Sequence, residues 1–205
     1  DKAQVIIAIE DILTDDAFIH LCLGSGGIPR DFLSSFGDLL RERCIDMDEK
    51  IRKQDVLSKC SSKYYDKFFN LRQRDFKDTI DLEKCLTYIQ AYTIEQNNTN
   101  CILIDNEKCI AYFKLQKFIR LLMDLRWLHL IDESFAKHKT DPERYAAYLL
   151  DYSLLPYPLP TGFNLLESIF DANHRHTSIL KSAPILDLDD LNNYLQKTAK
   201  RIRFN

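Results

Sequence analysis

The stretch GSGGIPRDF, residues 24–32, holds three glycines, a proline and an arginine where one helical pattern ends and the next begins. Glycine-rich turns before a helix commonly bind phosphate, because their backbone amides can approach the ligand closely. A complete P-loop needs the pattern GxxxxGK[ST], whose lysine and hydroxyl contact the phosphates and magnesium. Pro29 and Arg30 stand in their place, and a helical pattern rather than a strand precedes them. The stretch is therefore not a complete nucleotide site, and we do not expect this chain to hydrolyse ATP unaided.

Arg30 is the residue of this turn that is best suited to meet a phosphate. A guanidinium at the start of a helix offers a forked and permanently charged donor to a phosphate oxygen. Asp31 follows it directly and is placed to hold Arg30 when no nucleotide is bound. The alternative is that Arg30 only pairs with Asp31 or caps a carbonyl group.

Other residue types that could carry chemistry form no complete site. No pair of the six cysteines has CxxC spacing, and His174 and His176 have no third metal ligand nearby, so we expect reduced thiols, a solvated polar loop and no metal site. We expect Trp127 to be a packing anchor and His129 to be a structural histidine of a strand. The sequence contains no nucleophile elbow and no evident Ser/His/Asp set, so an independent enzyme is the least favoured class.

The elements around the turn follow from the apolar spacing. Residues 4–23 predict two helices with a break near Leu13, where TDD suits a helix N-terminus, and Pro29 suits the first turn of the next helix. Further on, the pattern predicts a helix at 82–93, a short strand at 101–104, a helix at 112–125, and two strands joined by a charged loop at 133–143. This order is that of a winged helix-turn-helix with the loop as its wing. A short helix at 163–170 and an amphipathic helix at 187–202 complete the chain.

The segment AFIHLCLGSGGIPRDFLSSFGDLL resembles the lid subdomain of AAA+ ATPases related to the origin-recognition and initiator (ORC/Cdc6-like) group. In that family the arginine of GxPR is the sensor-2 residue, which reaches from the lid onto the phosphates that the P-loop domain binds. The matching residues are Gly27, Pro29 and Arg30. The resemblance covers roughly residues 1–155, since such lids are followed by a basic helix and a winged helix.

The resemblance implies a P-loop ATPase domain upstream of Asp1, which would hold ATP and magnesium, whereas this chain alone would bind no cofactor. Walker A and Walker B motifs are missing from the sequence. We therefore expect a mainly α-helical C-terminal fragment of an AAA+ ATPase that senses nucleotide through Arg30. Its segments are an AAA+ lid-like helical subdomain (1–48), a basic helical connector (49–78), a winged-helix domain (79–155) and a C-terminal helical extension (156–205).

Duplex DNA is the first candidate ligand of the winged helix. The helix at 112–125 would enter the major groove, and the wing would contact the backbone. The candidate contacts are polar or basic side chains on that helix and at the wing tip: Lys114, Gln116, Lys117, Arg120, Lys137, His138 and Lys139. The segment 49–77 adds nine Lys/Arg against four Asp/Glu.

The net negative charge of the predicted winged-helix domain argues against duplex DNA as its ligand. Residues 79–155 carry nine Lys/Arg against eleven Asp/Glu, whereas duplex binding depends on neutralising phosphates. The alternative is therefore a winged helix that mediates protein–protein interaction or homo-oligomerisation without DNA binding. A transcription regulator with no ATPase domain is a third possibility.

The bulk composition is that of an ordinary globular protein. The 205 residues are 45% hydrophobic and 29% charged, with a formal net charge of -3, which argues against a uniformly basic nucleic-acid coat. No apolar run approaches the roughly 20 residues that cross a bilayer. The sequence shows no signal peptide, and we expect a cytoplasmic protein with no membrane partner.

Overall fold

The computed structural model describes residues 9–43, 49–73, 79–138, 140–166 and 175–202, with the side chains of residues 43, 70, 175–177 and 198–202 left out. The fold is mainly helical and includes a small antiparallel sheet, which confirms the mainly helical class, whereas the lid-like subdomain and the winged helix-turn-helix stay predictions. The helices are α1 (Ile9–Ile12), α2 (Asp15–Gly24), α3 (Pro29–Arg43), α4 (Lys53–Ser62), α5 (Tyr64–Gln73), α6 (Thr79–Gln90), α7 (Asn106–Ala111), α8 (Phe113–Asp124), α9 (Arg175–Ser182) and α10 (Leu188–Ile202). The strands are β1 (Cys101–Asp105), β2 (Leu128–Phe135) and β3 (Tyr145–Leu150).

The break between α1 and α2 lies where the sequence predicts it. Leu13 forms an isolated bridge with Ile51, and the Thr14 hydroxyl accepts a hydrogen bond from the backbone N–H of Ala17 at 3.3 Å. An N-cap of this kind satisfies one of the free amides at a helix start. The apolar face of α2 then packs on α4, with Leu21 and Val56 both buried.

The region after α6 winds more loosely than the predicted helix. Residues Ala91–Gln96 form a π-helix, and the hydroxyl of Thr93 donates to the Ile89 carbonyl at 2.7 Å inside the core. This side chain occupies a backbone acceptor that regular helix hydrogen bonding would use. The turn ends at Asn98, whose φ is 50°.

The strands form an antiparallel sheet in the order β1-β3-β2. Cys101 pairs with Leu149 between β1 and β3, and Leu128 pairs with Leu150 between β2 and β3. β3 is central and buried along its whole length. The register of β2 shifts after Leu130, and β2 continues to Phe135, so the loop to β3 begins three residues later than the predicted start at Glu133.

A short helix that the sequence analysis missed, α7, stands between β1 and α8. The Asp105 carboxylate caps it by accepting from the backbone N–H of Lys108 at 2.9 Å. The strongly amphipathic α8 then places Leu115, Phe118 and Leu122 in the core. The two helices therefore follow β1 as a compact pair rather than as one predicted helix.

The C-terminal segment lies against the sheet. Leu103 of β1 donates its N–H to the Pro184 carbonyl and accepts from the N–H of Leu186, both at 2.8 Å. The predicted helix at 163–170 is wrong at its start, because Asn164 makes an extended bridge with Thr99; residues 167–170 lie outside the described residues. The predicted polar loop around His176 is also wrong, because α9 begins at Arg175. His174 lies outside the described residues.

The buried apolar side chains form a single cluster that includes residues of all four predicted segments. Trp127 is 1% exposed and lies edge-on to Tyr64 and Phe68 of α5, which confirms its role as a packing anchor. The segment boundaries at 49, 79 and 156 stay a prediction. In the described ranges, none of the helices is both long enough and apolar enough to cross a membrane.

Candidate functional site

The glycine turn reverses the chain between α2 and α3. Gly26 and Gly27 have φ values of 61° and 71°, the left-handed region that favours glycine. The N–H of Gly27 donates to the Cys22 carbonyl at 3.0 Å, which satisfies an acceptor at the end of α2. Pro29 then begins α3. The turn and the two helix ends form an exposed corner of the molecule.

Arg30 projects from this corner into solvent. Its side chain is 81% exposed, and its Nε atom lies 3.6 Å from Oδ1 of Asp31, too far for a direct hydrogen bond. A Cβ atom on Gly27 would meet nothing within 4 Å, so the surface beside Arg30 is open. Gly27, Pro29 and Arg30 lie within four consecutive positions at this corner, and their role in nucleotide sensing stays a prediction.

Asp31 has a closer partner than Arg30. Its Oδ2 atom accepts a charge-assisted hydrogen bond from Nη1 of Arg126, a residue that lies 95 positions away in the turn after α8. Arg126 itself has φ of 61°, which few residues other than glycine adopt. Asp31 thus contacts both Arg30 and Arg126. The expectation that Asp31 holds Arg30 describes only one of these two contacts.

The inner side of the glycine turn packs on the sheet. A Cβ atom on Gly26 would lie 2.4 Å from Cε1 and 2.5 Å from Nδ1 of His129 on β2. Glycine is therefore required here for space as well as for backbone conformation. The turn that carries Arg30 is in direct contact with the sheet.

A buried carboxylate lies behind His129. Asp151 follows β3, its side chain is 4% exposed, and it accepts hydrogen bonds from Nζ of Lys67 at 2.6 Å and from the N–H of Ser153 at 2.9 Å. Its Oδ2 atom lies 3.1 Å from Nε2 of His129. Burial by itself would raise the pKa of Asp151, but the hydrogen bond to His129 and the charge of Lys67 outweigh it and hold the pKa well below its usual range.

The contacts of Asp151 and His129 connect α5 to the sheet, and they do not activate a nucleophile. One edge of His129 faces Asp151 and the other packs on Gly26, so both edges of the ring are occupied. The hydroxyl of Ser153 donates to Asp151 rather than to a histidine. Burial raises the pKa of the nearby Cys60 thiol to about 12, which keeps it protonated. His129 lies on β2 with Nε2 paired to Asp151, and its structural role stays a prediction.

The candidate DNA-contacting residues on α8 differ in what they contact. Nζ of Lys114 is 2.6 Å from Oδ2 of Asp81 on α6 and also lies over the Phe118 ring. Lys117 and Arg120 are exposed, whereas Gln116 is half-buried. Lys114, Lys117 and Arg120 are thus the exposed bases of this helix, and Lys114 is paired with Asp81.

The residues of the predicted wing tip differ in their contacts from the prediction. Lys137 is half-buried and donates from Nζ to the Ala183 carbonyl at 3.0 Å, so it binds the C-terminal segment instead of extending into solvent. His138 is exposed, and Lys139 lies outside the described residues. DNA contact by these three residues stays a prediction.

The surface around the start of α8 is apolar and acidic, a feature that the sequence did not predict. Ile110 and Phe113 are 68% and 77% exposed at the junction of α7 and α8. The start of α10 lies beside them: Asp189 accepts a short hydrogen bond from the Tyr112 hydroxyl and lies 3.9 Å from Nζ of Lys108. The composition of α10 shows the acids, but a side-chain pair 77 positions apart leaves no local signal.

The described residues include five free cysteines: Cys22, Cys60, Cys85, Cys101 and Cys109. Burial raises the pKa of the Cys85 and Cys101 thiols to about 12, so these two behave as small apolar groups. Within the described ranges, no cluster of three or more His, Cys, Asp or Glu side chains is arranged to hold a metal ion.

Comparison with known proteins adds no relative. No protein-family model matches the chain, and no curated protein sequence or solved structure is significantly similar to it. The resemblance of the glycine turn to AAA+ lids therefore stays a prediction that depends on residues 17–40.

Proposed function

We propose that this chain is the nucleotide-sensing C-terminal region of an AAA+ ATPase, in which a lid presents Arg30 to ATP and magnesium held by a P-loop domain. The observation that carries the proposal is the 81% exposure of Arg30 at the start of α3, beside open surface at Gly27. A sensor arginine must reach a phosphate on a neighbouring domain. A side chain packed into its own core could not do so.

The order of elements supports a winged helix after the lid. α6, β1, α7 and α8 are followed by the hairpin of β2 and β3, and β3 lies between β1 and β2 in the sheet. In this assignment α8 is the recognition helix and residues 136–144 form the wing. The free cysteines suit a reducing compartment, and we assign the protein to the cytoplasm.

The lid and the winged helix are coupled by two direct contacts. Asp31 beside the sensor binds Arg126 after α8, and Gly26 packs on His129 of β2. A rotation of α3 that brings Arg30 onto a phosphate would change both contacts. The nucleotide state is thereby transmitted to the recognition helix.

The nucleotide part is tested in the protein that includes its P-loop domain, with Arg30→Ala. Loss of one donor to the developing phosphate charge should lower the ATPase rate about tenfold or more. The matched control is Arg41→Ala, which removes a 76% exposed arginine from the same helix and should leave the rate unchanged. An Arg30→Ala variant as active as the wild type contradicts the assignment, and so does a full-length sequence without Walker motifs.

We further propose that the winged helix binds duplex DNA, with Lys117, Arg120 and His138 as its contacts. Two or three phosphate contacts predict an affinity that falls roughly 10–40-fold between about 50 and 200 mM salt. Fluorescence anisotropy of a labelled duplex measures this, with Lys117→Ala plus Arg120→Ala against Lys181→Ala, an exposed lysine on α9, as control. Absence of binding at low salt refutes the DNA assignment.

A protein-binding winged helix is the alternative that one observation favours. Ile110 and Phe113 expose apolar surface at the start of α8, beside the carboxylates of α10 that would repel a phosphate backbone. Exposed aromatic side chains are typical anchors of protein interfaces. Sedimentation at high salt tests the simplest case, a homo-oligomer that Phe113→Asp dissociates. A monomer in both wild type and variant removes that case.

A further inference from the structure

A cluster of basic and hydroxyl side chains lies beneath the glycine turn and does not include Arg30. It lines a cavity of about 220 Å³ between α3, α4, α5 and the sheet. Its polar walls include Ser34, Ser35, Lys63, Lys67, Arg126 and His129, and we name this cavity the cationic pocket. Gly24 and Ser25 of the glycine turn form part of the same wall.

The permanent charges of the cationic pocket do not balance. Three cations (Lys63, Lys67 and Arg126) face two carboxylates (Asp31 and Asp151). Lys67 pairs with Asp151, and Arg126 pairs with Asp31. Each carboxylate is thus already neutralised, and one positive charge is left over.

The excess charge resides on Lys63. Its Nζ atom donates to the Ser35 hydroxyl at 2.6 Å, and within the described residues no carboxylate lies within ion-pair distance of it. An ammonium has three donors, so two of them remain for a ligand. A hydrogen bond from Arg41 lowers the pKa of Asp38 on α3, and the charge of Lys63 contributes to the same shift. Asp38 is therefore already paired with Arg41.

The walls of the cationic pocket are preformed. A Cβ atom on Gly24 would lie 2.8 Å from the Cys60 sulfur and 3.3 Å from the Tyr152 ring, so the backbone there is packed without spare room. Ser35 is buried, whereas Ser34 is exposed at the opening. A ligand would find fixed donors inside and a hydroxyl at the entrance.

We propose that the cationic pocket binds a phosphate-sized oxyanion, with Lys63 as its principal counter-ion and the hydroxyls of Ser34 and Ser35 as further donors. The cavity is smaller than the roughly 300–1,000 Å³ of sites for drug-sized ligands, so it takes one tetrahedral group. That group is either free phosphate or the terminal phosphate of a nucleotide that extends out past Ser34. Both sources share the chemistry of a doubly charged oxygen cluster that Lys and Ser bind.

Calorimetric titration of the intact protein with inorganic phosphate and, separately, with AMP tests the proposal at constant ionic strength in chloride. We expect saturable binding of phosphate with Lys63→Met weaker by roughly tenfold or more. Lys181→Met removes an exposed lysine of α9 and should match the wild type. A tighter Kd for AMP than for phosphate identifies the nucleotide source; equal values identify free phosphate.

A second variant guards against loss of folding in Lys63→Met. Ser34→Asp places a carboxylate at the exposed entrance, leaves the core untouched, and should abolish binding. Arg30→Ala should retain it, because Arg30 does not line the cationic pocket, so this result is independent of the proposed ATP sensor. No saturation by either ligand up to about 10 mM, or equal binding by wild type and Ser34→Asp, overturns the proposal.

Discussion

Replacement of Asp151 by asparagine probes the contact between the helical part and the sheet. The carboxylate is 4% exposed and receives Lys67 from α5, lies against His129 of β2, and caps the turn at Ser153. Asparagine has the same size and keeps one oxygen acceptor, so the change removes the charge and little else. Lys67 would then lose its counter-ion and keep only neutral acceptors, the amide oxygen and the Arg126 carbonyl at 3.2 Å.

The magnitude follows from the exposure of the two partners. Removing one member of a buried ion pair costs about 3–5 kcal/mol, because the remaining charge is left without compensation. Lys67 is 28% exposed and can regain part of its hydration, which places Asp151→Asn at the lower end, about 3 kcal/mol. For a domain of this size that corresponds to a decrease in Tm of about 6–12 °C.

Urea unfolding followed by the fluorescence of Trp127 measures this loss. Trp127 is the single tryptophan and is 1% exposed against Tyr64 and Phe68, so its emission reports the same junction. Asp124→Asn, at an exposed position at the end of α8, is the control and should stay within about 0.5 kcal/mol of wild type. A loss below about 1 kcal/mol for Asp151→Asn would show that the charge is solvated and that the ion pair does not hold the two parts together.

Three further outcomes follow from the same geometry. The pKa of Asp151 is lower in the folded state than its unfolded value of about 3.9, so its contribution is complete above about pH 4 and is lost as the pH falls further; the difference in unfolding free energy between wild type and Asp151→Asn should shrink below pH 4, and a constant difference contradicts this. Gly27→Ala should cost about 1–2 kcal/mol in urea unfolding through its positive φ alone, and Gly26→Ala clearly more, because its new methyl would collide with His129; equal losses would refute the contact. Cys60, Cys85 and Cys101 should resist a thiol reagent in the native protein and react on unfolding, since burial raises the pKa of each thiol to about 12; fast native labelling of these positions argues against the described core.

Local signals in the sequence predicted most of the elements that hold the candidate site. Thr14 and Pro29 mark helix starts through short-range chemistry, and the structure places them as N-cap and first helical residue. α7 was missed because its six residues, directly after β1, are too few to show an apolar period, although Asp105 three positions before Lys108 is a capping signal.

The spacing of residues in the sequence could not predict which side chains contact each other in the candidate site. Asp31 and Arg126 are 95 positions apart, and nothing near either residue indicates the other. Lys137 looked like a wing-tip base, yet it binds a carbonyl in a segment that the pattern left without contacts. Periodicity predicts which face of an element is buried, whereas the partner across that face depends on the tertiary arrangement.

The two hydrogen bonds that Leu103 makes with residues 184 and 186 protect the protein against aggregation through the edge of β1. An uncovered strand edge offers free amides and carbonyls to any other chain in solution, and it is a common starting point for aggregation. Residues 184–186 occupy that edge of β1, although they come some eighty positions later. Any cleavage or premature stop before Ala183 would uncover β1 and give an aggregation-prone product, even with α2, α3 and α8 unharmed.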